Sequence, residues 1–391
     1  SFIIKLSAKN EDGSINELYS GSVTIEPNYI SPATGSYKIS PNTAAGFVNG
    51  TAQVTASYPD CGLVTITVTD SEDSSKTGTS SQVRFLPAGF VLGIQNNLQT
   101  VSKPFALSLT AKNAQGITTP NYNSAVNLYP VAVTPLDISK ATLSPATILG
   151  SEFASGVASV NIAYNLYGRI KLRAEDSNDS TKQGISNELT FLPKGLSVSV
   201  EQPAVGRDFF YIGEPITVSV KVQDEMGNPI PNYPGIVELS SGFGLTLPTD
   251  WTFTSADAGE HKFLSTAVEA GTYSVRAKAE SGLLQAESQP ITVKNAFLQV
   301  IDTTSTVGTG QVIIQLVDDL GNIITSENNL AINVSAVEDL ANNSVNLPAG
   351  GITLTEGRAI IPVYDSEAEL VTIIPSSPFQ INVKKGTITF G

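Results

Sequence analysis

One turn motif occurs four times along this chain, and its spacing constrains the fold more than any other feature. It reads AKNEDGSINELYSG at residues 8–21, AKNAQGITTPNYNS at 111–124, VQDEMGNPIPNYPG at 222–235 and LVDDLGNIITSENN at 316–329. The turn glycines are therefore Gly13, Gly116, Gly227 and Gly321. A spacing of about one hundred residues is the size of one β-sandwich domain, so the repeat predicts four such domains in tandem.

The residues before each turn alternate between apolar and polar. In the first copy the apolar positions are Phe2, Ile4 and Leu6, and the other three copies follow the same pattern. A period of two indicates a half-buried strand, with its polar side chains facing water. Asn or Asp followed by Gly three residues later favours a turn, because the Asx side chain bonds nearby backbone and Gly accepts positive φ.

A second set of glycines confirms the register of the four copies. Strands are predicted to begin at Gly50, Gly156, Gly259 and Gly357, and a second strand begins at a constant offset in each copy, at Gly62, Gly168, Gly271 and Glu369. We expect these two strands to form a core hairpin, and the preceding segment of variable length to be a peripheral loop or edge strand.

An aromatic residue follows the turn glycine at a fixed distance in three copies, as Tyr19, Tyr122 and Tyr233, whereas the fourth copy has Glu327. Such a Tyr is expected to fill the edge of a core and to bond backbone through its hydroxyl. The fourth repeat has therefore diverged.

These landmarks predict an all-β chain of four tandem β-sandwich domains, at residues 1–90, 91–196, 197–297 and 298–391. The segments QVRFLPAGF, ELTFLPKGL and ITVKNAF lead almost directly from one domain into the next, and proline stiffens the first two joints. We therefore expect an elongated, semi-rigid rod.

Composition excludes several classes of function. The formal net charge of −14 disfavours binding to nucleic acid, and no apolar run approaches the ~18 residues of a membrane span. Cys61 is the only cysteine, so the chain has no intrachain disulfide and no zinc-binding or haem-binding spacing.

The combined pattern of strand, Asx-x-x-Gly turn, Tyr-x-Gly and the two strand-opening glycines resembles the bacterial immunoglobulin-like repeats of large extracellular proteins. Invasin-like and intimin-like adhesins and surface-layer proteins carry such repeats, and TFTSADAGEHKF at residues 252–263 is similar to them. The resemblance implies immunoglobulin-like domains at the cell surface that serve as spacers far more often than as catalysts.

Two acidic loops are the candidate metal site. DSEDSSKTG at residues 70–78 aligns with DSNDSTKQG at 176–184, and Asp70, Asp73, Asp176 and Asp179 would offer carboxylates to calcium. Each loop also carries a lysine, and the third and fourth copies lack the motif, which favours a solvated hairpin tip. No metal site or other cofactor is therefore assigned, and calcium stays a hypothesis.

No catalytic constellation is apparent. His261 is the only histidine, and the sequence has no G-x-S-x-G motif that would supply a serine nucleophile beside it. Trp251, the only tryptophan, is expected in the core. We therefore predict a non-enzymatic, extracellular segment of a surface layer, filament or stalk, whose partners are copies of itself or other surface proteins. The alternative is an adhesin module for a host or carbohydrate ligand, for which the long middle segment of the second copy, residues 129–153, is the best candidate.

The first copy has only Ser1 before Phe2, where the other copies have a further strand. We expect its first strand to be missing, so that one sheet edge is unpaired. Either the chain is a slice of a longer array, or a neighbouring subunit donates the strand.

Overall fold

The structure, a computed structural model, describes residues 1–133, 137–242, 244–340 and 344–391. The chain divides into two compact units, Ser1–Pro193 and Lys194–Gly391. Strands dominate both units, and the helices in the described residues are two 3-10 turns at Gly150–Glu152 and Glu280–Gly282. None of these helices has the length and apolar character needed to cross a membrane.

We call the four predicted segments the first to fourth repeats, and each contains its own set of strands. The first has β1 (Phe2–Ser7), β2 (Val23–Ser31), β3 (Thr43–Ala44), β4 (Thr51–Ala56), β5 (Gly62–Asp70), β6 (Thr77–Thr79) and β7 (Val83–Phe85). The second has β8 (Gly89–Gly93), β9 (Leu98–Thr100), β10 (Phe105–Lys112), β11 (Val126–Ala132), β12 (Leu143–Ser144), β13 (Thr147–Ile148), β14 (Phe153–Ala154), β15 (Val157–Tyr164), β16 (Gly168–Asp176), β17 (Gln183–Ile185) and β18 (Leu189–Leu192).

The second compact unit contains the third and fourth repeats. The third has β19 (Gly195–Val200), β20 (Phe210–Tyr211), β21 (Pro215–Gln223), β22 (Ile236–Ser241), β23 (Asp250–Thr252), β24 (Glu260–Thr266), β25 (Gly271–Tyr273), β26 (Val275–Ala279), β27 (Leu284–Glu287) and β28 (Ile291–Lys294). The fourth has β29 (Phe297–Ile301), β30 (Thr303–Ser305), β31 (Gly308–Val317), β32 (Ala331–Glu338), β33 (Ile352–Thr353), β34 (Arg358–Asp365), β35 (Leu370–Ser376), β36 (Asn382–Lys384) and β37 (Gly386–Phe390).

The strand order within the second repeat is that of an immunoglobulin-like sandwich. One sheet has the order β12-β15-β10-β8 and the other β13-β11-β16-β18-β9. All pairs are antiparallel except the last strand, β18, which runs parallel to the short β9. The fourth repeat likewise has its last strand, β37, parallel to the short β30, but it differs in that β36 joins the other sheet, parallel to β29. The all-β, immunoglobulin-like fold is therefore confirmed by the chain's own strand pairing.

The core of each repeat lies between its two sheets. In the first repeat Leu6 of β1 packs in one apolar cluster with Ile25 of β2 and Ile66 of β5, which belong to the opposite sheet. In the second, Phe105 and Phe191 meet across the sandwich with ring centroids 5.7 Å apart. The alternation in the sequence therefore gives each strand one face toward this core.

The Asx-x-x-Gly turns form as predicted. Gly116 has a φ of +77°, and its N–H donates to the carbonyl of Asn113 at 2.9 Å. The Asn113 side chain accepts hydrogen bonds from the amides of Gln115 and Ile117, both at 3.0 Å. The other three turn glycines also have positive φ values, between +81° and +85°.

The predicted core hairpin is wrong. The two strands at constant offset, such as β15 and β16, lie in opposite sheets, because β15 pairs with β10 and β16 pairs with β11. A short connection between strongly apolar strands fits a crossing from one sheet to the other as well as it fits a hairpin. The variable middle segments do form short edge strands, β3, β13, β23 and β33.

The strands β8, β19 and β29 begin at or just before the predicted domain boundaries, and only a few residues separate each from the preceding strand. The division into four domains stays a prediction, since the chain separates into two compact units. In the described residues β1 pairs on one side, with β4, and its other edge is unpaired.

Candidate functional site at the repeat junctions

Within each compact unit, the loop that follows the turn of the second repeat or of the fourth repeat contacts the repeat before it. We call residues 117–125 and 322–330 the docking loops of the second and fourth repeats. In the second repeat, Asn121 and Asn123 bond residues of the first repeat. In the fourth, Glu327 and Asn329 bond residues of the third repeat. The repeated motif is therefore a structural part of the junctions.

The second set of repeated glycines fixes the position of these loops. Gly156 and Gly357 have φ values of +78° and +72°. A Cβ atom would lie 2.4 Å from the carbonyl oxygen of Thr119 at Gly156, and 2.5 Å from that of Ile324 at Gly357. Only glycine combines this backbone conformation with so close an approach of the loop.

The repeated tyrosine bonds a carboxylate far along the chain. The hydroxyl of Tyr122 donates to Asp176 at 2.6 Å, and that of Tyr233 donates to Glu280 at 2.9 Å. Tyr19 makes the equivalent bond to Asp70. Burial and the Asp70 hydrogen bond raise the pKa of Tyr19 to about 12, so the hydroxyl stays a donor. Backbone carbonyls, the predicted partners, are the more distant acceptors for Tyr19 and Tyr122.

In the fourth repeat Glu327 replaces the tyrosine and reverses the direction of this hydrogen bond. Its Oε1 accepts the backbone amides of Asn329 and Leu330, both at 2.8 Å, and so holds its own docking loop. Its Oε2 accepts the hydroxyl of Tyr211 from the third repeat at 2.8 Å. The acceptor is now on the docking loop and the tyrosine donor is on the preceding repeat.

Arg207 completes the buried charge cluster at this junction. Its Nη1 and Nη2 bond the two Glu214 oxygens at 2.8 and 2.6 Å, a bidentate pair, and its Nε lies 3.3 Å from Oε2 of Glu327. The Arg207 side chain is 4% exposed, that of Glu214 9% and that of Glu327 4%. Burial alone would lower the pKa of Arg207, but the hydrogen bonds and charge of Glu214 and the charge of Glu327 raise it. Removing either glutamate would leave a buried cation short of a counter-charge.

Apolar packing continues across the same junction. Phe209 and Tyr211 are buried in one core cluster with Leu298, Leu330 and other residues of the fourth repeat. The Arg207 guanidinium lies 4.6 Å from the centroid of the Tyr211 ring, within the range of a cation–π contact. The third and fourth repeats therefore share a continuous core.

Hydrogen bonds join the first and second repeats at their junction. Asn113 donates to the carbonyl of Pro59 at 3.0 Å, and Asn123 donates to the Ser31 hydroxyl at 3.0 Å. The backbone amide of Asn121 donates to Oδ1 of Asp60 at 3.1 Å. A turn residue and two docking-loop residues thus contact three points on the first repeat.

Asp60 and Cys61 are buried at this junction, with 3% and 2% of their surface exposed. Within the described part of the chain Asp60 forms no ion pair, and burial raises its pKa above the ordinary value. Burial also raises the pKa of the Cys61 thiol to about 12. A buried thiol of this kind is an inert core residue rather than a nucleophile.

The four calcium candidates lie at the tips of the β5–β6 and β16–β17 hairpins. Oδ1 of Asp176 accepts the amides of Asn178 and Asp179, and its Oδ2 accepts the Tyr122 hydroxyl. Asp70 makes the equivalent bonds, and the pKa of Asp70 is lowered by its hydrogen bond from Tyr19 and by turn amides.

The other two candidates, Asp73 and Asp179, each bond the amide and hydroxyl of the Ser or Thr two residues later. Throughout the described ranges, no three His, Cys, Asp or Glu side chains form a group that could hold a metal ion. Calcium binding stays a prediction.

The remaining residues considered from sequence are structural in their contacts. His261 bonds Asp257 at 2.6 Å and stacks on Trp251 of β23, whose side chain is half-buried and also packs against Phe263. Of the long middle segment 129–153, residues 134–136 lie outside the described residues. Phe153 packs edge-on against Tyr122 with centroids 4.7 Å apart.

Sequence reasoning missed Arg207 and Glu214, which lie in the segment between β19 and β21. Two signals were present. Arg207 lies in a stretch that the second repeat lacks, and Glu327 interrupts the tyrosine pattern. A charged residue at a position that is otherwise a buried tyrosine requires an opposite charge nearby.

Comparison with known proteins gives structural similarity only. No protein-family model matches the chain, and no curated protein matches it. Among solved structures it is similar to the Escherichia coli adhesin FdeC, with 19% identity over 78% of this chain and 98% of that chain and a TM-score of 0.37. It is also similar to invasin, a bacterial integrin-binding protein, with 13% identity over 77% of this chain and 60% of that chain and a TM-score of 0.33.

The surface-layer protein SbsC, domains 1–6, is similar over 99% of this chain and 52% of that chain, with 14% identity and a TM-score of 0.26. These are the classes of bacterial surface protein that the sequence motifs resemble. All three TM-scores are below 0.5, so the fold assigned to this chain rests on its own strand pairing.

Proposed function

We propose that this chain is a non-enzymatic, extracellular structural segment of a bacterial surface protein, of the surface-layer, filament or stalk type. In this role the immunoglobulin-like repeats act as spacers of fixed length, and defined junctions set the orientation of each repeat relative to the next. Its partners are further copies of itself or other proteins of the cell surface.

The buried cluster of Arg207, Glu214 and Glu327 is the observation that supports this proposal most strongly. Three charges with side chains less than 10% exposed require well-defined geometry, because each must meet its partners or lose more in desolvation than it gains. A flexible joint would leave them exposed to water. The hydrogen bonds of Asp60 with Asn121 and of Ser31 with Asn123 support the same role at the first junction.

Two spin labels on either side of the third junction test this role in the intact chain. Leu264 in the third repeat and Ile360 in the fourth are 73% and 64% exposed, so cysteines at these positions accept labels, whereas Cys61 is buried. We expect double electron–electron resonance to give one narrow distribution of label-to-label distances in the otherwise unchanged chain. After Arg207→Ala we expect a broad distribution. The exposed Glu367→Gln serves as the matched control and should leave the distribution narrow.

A broad distribution in the unchanged chain would contradict the structural role. Saturable binding of the intact chain to host cells or to an array of glycans would instead favour the adhesin alternative. Proteins commonly bind sugars through clusters of exposed aromatic rings. In the described residues, the middle segment of the second repeat forms no such cluster.

A further inference from the structure

The outer face of one sheet in the fourth repeat carries a row of three isoleucines. Ile301 of β29, Ile313 of β31 and Ile360 of β34 lie side by side, because Ile313 pairs opposite both of the others. The neighbours of Ile313 along its strand, Val312 and Ile314, are buried in the core. The row therefore lies on the side of the sheet away from the core, where Ile360 is 64% exposed and the other two isoleucines are half-buried.

The same row has no isoleucine in the other repeats. Its members there are glycine, serine, lysine or glutamine: Gly93, Ser108 and Ser159 in the second repeat, Ser199, Ser219 and Lys262 in the third, and the pair Lys5 and Gln53 in the first. A repeat therefore folds without an apolar outer row. A single exposed isoleucine needs no explanation, but a contiguous row across three strands marks an interaction surface.

The residues around the isoleucine row are neutral or basic. Gln311 and Gln315 flank Ile313 along β31, and Arg358 flanks Ile360 along β34. Within the described strands β29, β31 and β34 no outward-facing residue is acidic, although the chain has 36 Asp and Glu against 22 Lys and Arg. Two copies that each carry a net charge of −14 repel one another over most of their surfaces. A face without carboxylates is therefore one through which a second copy can approach.

A groove and a tyrosine lie at opposite ends of this face. The groove has a volume of about 440 Å³, and its lining includes Ile313, Gln315, Arg358 and Ile360. Tyr364 is 49% exposed and lies four residues after Ile360 on β34, so it is on the same side of the sheet. Two copies with antiparallel β34 strands can therefore each place Tyr364 in the groove of the other.

The charges on the face favour the same antiparallel orientation. Gln299 of β29 pairs opposite Gln315 on one side and Lys384 of β36 on the other, and Gln315 pairs opposite Arg358. Arg358 and Lys384 thus lie at the same height on the two edges of the sheet. Parallel stacking about the row would bring Arg358 of one copy over Lys384 of the other, whereas antiparallel stacking places Arg358 beside the ring of Tyr364.

We propose that this face binds the same face of a second copy of the chain, with the two isoleucine rows in contact and the two β34 strands antiparallel. The contact is two-fold symmetric, so each isoleucine meets its own counterpart and each glutamine amide can both donate to and accept from another. The inference rests on the proposed function, in which copies of the chain are partners, and it assigns the surface through which they meet.

The size of the face sets the strength of the contact. Three strands about 4.8 Å apart and about eight residues long present roughly 400 Å² in projection, which is less than the ~800 Å² per partner of a stable complex. We therefore expect a weak and reversible dimer. Weak contacts of this kind gain strength when many copies are held side by side.

The test is sedimentation of the intact chain over a range of concentrations. We expect a monomer–dimer equilibrium with a Kd of about 10–100 µM, and at least about tenfold weaker association when Ile313→Ser and Ile360→Ser are combined. Serine occupies both positions in the second repeat, so the variant is expected to fold. The matched control is Leu264→Ser, which changes a residue 73% exposed on the corresponding face of the third repeat and should leave the dimer unchanged.

A cross-linking experiment keeps the isoleucines and tests the orientation. Chains with Gln311→Cys and chains with Gln315→Cys are mixed and treated with a short bis-maleimide, while Cys61 is buried. Antiparallel stacking places each new cysteine about 10 Å from the other kind, and two of the same kind about 13 Å further apart along the strand. We therefore expect the mixture to cross-link and each variant alone to stay largely uncross-linked.

A chain that stays monomeric at about 1 mM would overturn the proposal, and so would a dimer that the two serine substitutions do not weaken. Cross-linking of each cysteine variant with itself as readily as in the mixture would also overturn it. These results are separable from a failure of the proposed function. The spin-labelled chain lacks Ile360 and is expected to be monomeric, so its distance distribution reports the order of the junction whether or not the unchanged chain dimerises.

Discussion

The substitution Glu327→Gln tests whether the buried charge cluster joins the third and fourth repeats into one cooperative unit. Glutamine has the shape of glutamate and can still accept the backbone amides of Asn329 and Leu330. It removes the negative charge 3.3 Å from Nε of Arg207 and presents an amide to the Tyr211 hydroxyl. The change therefore isolates the charge from the packing.

The expected loss follows from how much of the cluster survives. Removing one partner of a buried ion pair costs about 3–5 kcal/mol. Arg207 keeps its bidentate pair with Glu214, so we expect a smaller loss than this, about 2–3 kcal/mol of unfolding free energy. This corresponds to about 30- to 150-fold in the equilibrium constant.

The assay uses Trp251, the only tryptophan, which lies in the third repeat and stacks on His261. Its fluorescence during urea unfolding reports the third repeat, whereas the substitution is in the fourth. We expect the Trp251 transition to move to lower urea, with no such movement for the exposed control Glu367→Gln. A Trp251 transition that stays in place, while the far-ultraviolet dichroism shows the fourth repeat weakened, would refute the coupling.

Four further predictions concern the repeated tyrosines, the repeated glycines, Asp60 and the hairpin-tip carboxylates. Tyr122→Phe should cost about 1–3 kcal/mol in urea unfolding, because Asp176 is buried and loses a donor, and Tyr19→Phe should cost less because water reaches Asp70. Gly321→Ala should cost about 1–2 kcal/mol from its positive φ, and Gly357→Ala about 3–5 kcal/mol, since its Cβ also meets a backbone oxygen. Asp60→Asn should raise the melting temperature, relative to the unchanged chain, more at about pH 7 than at about pH 4. The raised pKa of Asp60 means that its contribution to stability is complete below the ordinary pKa of aspartate and is lost as pH rises through the raised value. A calcium chelator should change the calorimetric melting temperature little, because the hairpin-tip carboxylates are already hydrogen-bonded within the protein.

Each of these has a result that would contradict it. Equal losses for the two tyrosine variants would show that burial of the acceptor does not set the cost. Equal losses for the two glycine variants would mean that the docking loop yields to the new Cβ. A pH-independent effect of Asp60→Asn would show that the carboxylate is solvated at the junction, and a drop of many degrees with chelator would establish a metal site.

The sequence by itself determined the features that depend on neighbours along the chain. Alternation before Gly116 predicted β10, and the Asn113 turn formed with the hydrogen bonds that Asx chemistry requires. These follow from local sterics and local bonding, so the period and the turn residues were enough. The repeat also made the immunoglobulin-like sandwich predictable, since its length and strand count leave few other solutions.

Tertiary structure decided which sheet each strand joins and what each buried polar group bonds. The strands at constant offset were predicted as a hairpin, yet β15 and β16 pair with β10 and β11 in opposite sheets. Nothing local distinguishes the two outcomes, because a short connection and two apolar strands serve either. The partner of the Tyr122 hydroxyl lies 54 residues away, and that of the Tyr211 hydroxyl lies 116 residues away. Which charges are buried together at such separations depends on how the folded repeats pack, and the energy of the Arg207 cluster arises only there, where water is excluded.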